Sequence, residues 1–182
     1  MDRHEPSRSE SVEQLALRVF TNLHRTIISH ESGSLVGDVD SVHDMRVAVR
    51  RLRVALSNFA VCVAKEERKR LRSRLENLAD ALGGVRDMDV MIAAMKAWSP
   101  LRNSQDPDQE RAAVSALIGR LRARRRSRLR ALVNYLSGEE YTDFKRESTS
   151  DWVCRDAKSC ASTMSSSECG QKFPEEEHGQ AA

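Results

Sequence analysis

Residues 41–63 read SVHDMRVAVRRLRVALSNFAVCV, and this stretch decides the fold. Its apolar residues recur at steps of three and four, the spacing that lines one face of an α-helix. These residues are Met45, Val49, Leu52, Leu56, Phe59 and Val63. The Ser41 hydroxyl group is placed to cap the first turn, with Asp44 three residues later. The stretch therefore predicts an amphipathic helix that begins near Ser41.

Similar patterns on both sides predict further helices, and they span residues 11–30, 66–82, 87–98 and 108–136. Gly83 and Gly84 are expected to end or kink the helix before them. Residues 31–38 and 101–108 are predicted connections, because they contain glycine or proline and have no apolar period. The chain is therefore expected to form an all-α, antiparallel helical bundle with short loops.

The composition changes along the chain. After residue 147, serine, threonine, cysteine and acidic residues dominate without an apolar period. The sequence predicts three parts: a disordered N-terminus over residues 1–10, a helical bundle over 11–147, and a disordered tail over 148–182 that contributes nothing to the fold. Residues 148–182 carry a net charge of −3, whereas the whole chain carries +3, so residues 1–147 carry +6. We expect an anionic partner for the bundle alone.

Several classes of protein are disfavoured by the sequence. No window approaches the roughly 20 consecutive apolar residues of a membrane span, and the N-terminus has no apolar segment of a secretory signal. We therefore expect a cytoplasmic protein without a membrane partner. The four cysteines include no C-x-x-C pair and have no histidine pair nearby, so neither a disulfide framework nor a metal site is predicted.

A row of basic residues follows one face of the predicted second helix. His43, Arg46, Arg50 and Arg53 are spaced by 3, 4 and 3 residues. Arginine offers a planar pair of donors that matches phosphate oxygens, and His43 is expected in the first helical turn, where free amides favour an anion. The row predicts a site for a polyanion; the alternative is a solvated basic flank.

Two other segments are unusual. Residues 111–130 contain eight arginines and no acidic residue, which a solvated helix arm alone explains poorly. Residues 83–89 read GGVRDMD, and Arg86 lies two residues after the glycine pair. Asp87 and Asp89 are expected to cap the next helix. Two carboxylates two residues apart at a helix start point in different directions, which disfavours joint chemistry. No acid–base pair or metal site is predicted there.

These segments together resemble a known family. The stretch HDMRVAVRRLR over residues 43–53, followed by LGGVRDMDV over residues 82–90, is similar to the signature of the CHAD family, the conserved histidine α-helical domains. The resemblance covers residues 11–147 and implies a helical fold that binds inorganic polyphosphate without catalysis or a cofactor. It further implies a bacterial protein, associated with polyphosphate granules or fused to a domain that processes triphosphates.

The resemblance also implies which residues bind polyphosphate. By position they are His43, Arg46, Arg50, Arg51, Arg53, Arg86, Arg120, Arg124 and Arg128. Family members usually have two similar four-helix halves, and the resemblance here covers one. An exposed apolar edge is therefore expected, which a homodimer would bury.

Other functions stay open at this point. Binding to the phosphate backbone of nucleic acid is the runner-up, although no aromatic platform for single strands is evident. A helical interaction module would leave the arginine row unexplained. A histidine–aspartate phosphohydrolase is disfavoured, because His24 and His30 are six residues apart and do not share a helix face.

Overall fold

The computed structural model describes residues 11–98, 106–147 and 149–153, and every regular element within these ranges is helical. The α-helices are α1 (Val12–Ser29), α2 (Glu31–Val36), α3 (Val39–Asn58), α4 (Lys65–Ala97), α5 (Pro107–Leu136) and α6 (Glu139–Arg146). Two 3-10 turns span Ala60–Cys62 and Thr149–Asp151. The predicted all-α class is confirmed. No helix in the described ranges is long and apolar enough to cross a membrane.

Helix α3 lies at the centre of the fold, in contact with α1, α2 and α4, and α4 in turn packs on α5. The predicted apolar stripe of α3 faces the core, where Met45, Val49 and Leu52 are completely buried. Arg53 of α3 forms an ion pair with Glu76, while Arg46, seven residues earlier, lies beside Gly83. Helices α3 and α4 therefore run in opposite directions.

The start of α3 differs from the prediction by one turn. Asp38 caps the helix, and its carboxylate accepts hydrogen bonds from the Ser41 amide at 2.8 Å and the Ser41 hydroxyl at 2.7 Å. The predicted Ser41 cap is wrong, since an acidic residue three positions earlier binds the free amide first. His43 therefore lies beyond the first turn, and the free amides at the helix start do not face it.

Residues 31–36 form a helix, so the predicted loop over 31–38 is wrong for most of its length. Gly37 ends this helix in the left-handed region, with φ of 75°. Gly33 has a different role, because a Cβ atom there would lie 2.0 Å from the Ser41 hydroxyl oxygen. Glycine at residue 33 serves close packing against α3, and the helix continues through it.

Helix α4 continues through Gly83 and Gly84, so the predicted helix end at this pair is wrong. Neither glycine has a positive φ. Because residues 83–89 are in mid-helix, the predicted capping roles of Asp87 and Asp89 are wrong as well. Asp87 is exposed, whereas Asp89 is buried.

The fold extends past the predicted boundary at residue 147. Trp152 is 1% exposed and stacks on Phe144 of α6, with ring centroids 5.9 Å apart. Its indole N–H donates to Glu147 at 3.1 Å, and Glu147 also accepts from Arg70 at 2.6 Å. Residues 149–153 thus belong to the folded part of the chain rather than to a tail, and Thr149 and Trp152 are buried in it. The predictions for residues 1–10 and 154–182, and for 101–105 of the connection, lie outside the described ranges.

Candidate anion-binding site

The basic row of α3 is largely unpaired. His43, Arg46 and Arg50 are exposed, and none has a hydrogen-bond or ion-pair partner in the described part of the chain. Arg53 differs, because its guanidinium contacts Glu76 of α4 at 3.1 Å. Both of these side chains are more than a third exposed, so the ion pair is weak and an anion can compete for Arg53.

The glycine pair of α4 lies between two arginines from other helices. A Cβ atom at Gly83 would lie 3.9 Å from Nε of Arg46, on the α3 side. A Cβ atom at Gly84 would lie 3.1 Å from Cδ and 3.6 Å from Nε of Arg128, on the α5 side. Two arginine side chains, 82 residues apart in sequence and on different helices, therefore meet the same turn of α4.

Arg86 extends this arrangement by one turn. Arg46 lies beside Gly83 and Arg53 beside Glu76, and continuing this antiparallel register places His43 level with Arg86. Arg86 is partly buried and has no ion-pair partner among the residues that the structure describes. His43 and Arg86 thus add two basic groups near the end of the same surface.

Two carboxylates lie close to these arginines. Asp80 and Asp87 are exposed on α4, one turn before and one turn after the glycine pair. Neither forms an ion pair with Arg46 or Arg128. They reduce the local positive potential, and the unpaired arginines nearby outnumber them.

Helix α5 supplies the other side of the site. Arg120, Arg124 and Arg128 are exposed and recur every four residues, so they form one row about 12 Å long at 1.5 Å per residue. We call the α3 row of His43, Arg46, Arg50 and Arg53 the first basic row, and this second set the second basic row. Gly83 and Gly84 lie between the two.

The structure does not bring every predicted residue to this place. Arg51 lines a groove of about 680 Å³ between α1 and α3, with Val54 and Phe59 among its other lining residues. Arg50 lines the same groove, so this member of the first basic row borders the groove as well. Arg51 is therefore a predicted site residue that lies at this groove rather than beside the glycine pair.

The arrangement is suited to binding an oxyanion. Guanidinium groups donate hydrogen bonds in a planar pair, remain charged at any physiological pH and match phosphate oxygens. Unpaired arginines that meet over a short stretch of backbone repel one another, and an anion between them removes that repulsion. Among the described residues, no three histidine, cysteine or acidic side chains are grouped to hold a metal ion.

Sequence reasoning missed the role of the two glycines in this site. Their signal was present, since a Gly-Gly pair inside an otherwise helical pattern is often explained by close packing as well as by a helix end. The separation of Arg125 from the rest of the arginine run was also missed. Arg125 faces inward and pairs with Asp89, a contact between residues 36 positions apart.

Comparisons with known proteins agree with this description at the level of the family. No curated protein and no solved structure matches the chain closely enough for comparison. The family model of the CHAD domain matches residues 18–172. This match covers most of the chain and runs past residue 147, the predicted limit of the resemblance. The chain therefore belongs to the CHAD family.

Proposed function

We propose that this protein binds inorganic polyphosphate through the two basic rows and the glycine pair between them. The observation that carries the proposal is the approach of Arg46 and Arg128 to adjacent residues of α4, without a carboxylate partner for either in the described ranges. Membership of the CHAD family supports the same ligand. The protein acts in this proposal as a binding protein and not as an enzyme.

The shape of the site favours a narrow, linear anion. The first basic row spans about 15 Å from His43 to Arg53, and the second spans about 12 Å. They lie on different helices, on either side of Gly83 and Gly84. A flexible phosphate chain can follow one row, cross α4 where no side chain protrudes, and continue along the other. A nucleic-acid duplex is wide and rigid and would contact the exposed ends of the arginines only.

The cellular role follows from the ligand. A cytoplasmic protein that holds polyphosphate without hydrolysing it would associate with polyphosphate granules, or bring an attached activity to them. We propose granule association as the role of this chain.

Substitution of the two central arginines tests the proposal. Arg46→Ala and Arg128→Ala should each weaken polyphosphate binding by about 1.5–3 kcal/mol, or roughly 10- to 150-fold, the value of a hydrogen bond to a charged group. Arg130→Ala is the matched control. It also removes one exposed arginine of α5, but Arg130 lies two residues after Arg128 and therefore on another face of the helix. Isothermal titration calorimetry measures all three, and circular dichroism confirms unchanged helicity. Equal effects of Arg128→Ala and Arg130→Ala would contradict a defined site.

A further inference from the structure

Arg125 differs from the other arginines of α5. Its side chain is 19% exposed, and its Nε and Nη2 both donate to the carboxylate of Asp89, which is 6% exposed. Nη2 also donates to the carbonyl oxygen of Gly37 at 2.7 Å. Arg125 thus joins three parts of the fold: helix α5, helix α4, and the junction between α2 and α3.

The Gly37 junction is shaped for this contact. Its positive φ turns the chain at the end of α2, and a Cβ atom there would lie 2.6 Å from Cδ2 of Leu129. The carbonyl that Arg125 binds lies where α2 ends, and a cation is favoured there because helix C-termini leave carbonyl oxygens without helical partners. Asp38, the next residue, caps α3. The contact of Arg125 with Gly37 therefore also holds the start of α3.

We infer that Arg125 is a positioning residue that holds the second basic row at a fixed distance from the first. When Arg125 points inward to Asp89, helical geometry places Arg128, three residues later, on the flank where it covers Gly84. Through Gly37 and Asp38, the same guanidinium fixes the start of the helix that carries Arg46. This inference rests on the proposed function, because it concerns how the two rows act together on one ligand.

A substitution of Asp89 distinguishes a positioning role from an effect of net charge. Asp89→Asn removes a negative charge, so an account based on net charge expects tighter binding of a polyanion. If Asp89 positions α5 through Arg125, the same change should weaken binding. The guanidinium of Arg125 would lose its partner and remain buried and charged, which favours a shift of α5 that exposes it to water. Asp87→Asn is the matched control, since Asp87 is exposed, unpaired in the described ranges and two residues away on the same helix.

The expected results depend on the length of the ligand. Long-chain polyphosphate engages both rows and gains from their joint geometry, whereas tripolyphosphate is too short to need both. Asp89→Asn and Arg125→Gln should bind the long chain at least about tenfold more weakly than the parent, and tripolyphosphate equally well within about twofold. Asp87→Asn should bind the long chain as tightly as the parent or more tightly. Arg126→Gln, which removes an exposed charge next to Arg125, should change it by less than about threefold.

A measurement without ligand separates failure of this inference from failure of the proposed function. Hydrogen exchange in Asp89→Asn should be faster in residues 120–128 and 37–42 than in the parent, with α1 unchanged. The polyphosphate titrations are made at 10 °C, and only with variants whose helicity equals that of the parent. If Asp89→Asn loses helicity, Arg125→Lys, which keeps the charge and reaches one of the two partners, replaces it and should show an intermediate loss.

Two results would overturn the positioning role. One is that Asp89→Asn binds the long chain as tightly as Asp87→Asn does. The other is that hydrogen exchange in residues 120–128 and 37–42 is unchanged, which would contradict the role whether or not the parent binds polyphosphate. A parent that binds neither ligand, while exchange accelerates as expected, would contradict the proposed function and leave the contact of Arg125 supported.

Discussion

Replacement of Gly83 by alanine tests whether α4 is a continuous helix at the centre of the site. A glycine in a helix interior costs about 1 kcal/mol relative to alanine. The new Cβ atom at Gly83 would have its nearest neighbour, Nε of Arg46, at 3.9 Å, which is ordinary van der Waals contact. Gly83→Ala should therefore stabilise the protein by roughly 1 kcal/mol, or about 3–4 °C in melting temperature for a domain of this size.

Gly84→Ala is the informative companion of this variant. It makes the same gain in helix propensity, but its Cβ atom would lie 3.1 Å from Cδ of Arg128, closer than the optimal 3.5–4.0 Å or so between carbon atoms. Arg128 must then move away from α4. We expect Gly84→Ala to stabilise the protein less than Gly83→Ala and to bind polyphosphate more weakly.

Thermal melting followed by circular dichroism, with calorimetric titration of polyphosphate, measures both effects. A lower melting temperature for Gly83→Ala would refute the reasoning, since it would mean that the glycine pair ends or kinks the helix as the sequence alone suggested. Equal polyphosphate affinity of the parent and Gly84→Ala would refute the position assigned to Arg128.

Three further predictions concern stability and assembly. Burial beside Phe144 and Trp152 lowers the pKa of His24, so below about pH 6.5 the unfolded chain takes up a proton more readily than the folded chain does. The melting temperature should therefore fall as the pH is lowered from 7.5 to 5.5, and it should fall less in His24→Gln. Trp152→Ala should cost about 3–5 kcal/mol in a denaturant titration, because the indole is fully buried. Ending the chain at residue 147 should cost at least as much, whereas Trp98→Ala should cost less than Trp152→Ala, because Trp98 is 39% exposed. Large apolar side chains are exposed on α4 and α5, among them Met91. Light scattering should therefore show a homodimer at about 100 μM, and a monomer would contradict the expected apolar edge.

The parts of the fold that the sequence predicted are those with local signals. Helices α1 and α5 have long apolar periods, and their bounds were predicted within one residue. Helix α3 was predicted from its apolar period, but it begins about one turn earlier than expected, at the Asp38 cap, and ends at Asn58. Helix α2 was missed because Gly33 within it and Gly37 at its end are typical of a loop. Residue 33 must be glycine because a Cβ atom there would lie 2.0 Å from the hydroxyl oxygen of Ser41 on α3. A local sequence pattern cannot reveal a contact between two helices.

The sequence predicted the part of the candidate site that lies on one helix, and missed the contacts between helices. The first basic row has helical spacing and was visible directly, and Arg128 entered through the family resemblance. The ion pairs of Arg53 with Glu76 and Arg125 with Asp89 join different helices, so the sequence could not separate the paired arginines from the available ones. Trp152 was assigned to the tail because a single aromatic residue has no period, although it fills the core beside Phe20.

The central claim is that the two rows form a site for linear polyphosphate, and competition between polyanions tests it most directly. Long-chain polyphosphate and duplex DNA of equal total charge are titrated into the full chain at about 0.15 M salt, where charges more than about 8 Å apart are largely screened. We predict that polyphosphate binds at least tenfold more tightly than the duplex, because only the narrow chain can contact both rows. Equal affinity for the two polyanions would contradict the account and would indicate a basic surface that binds any phosphate backbone.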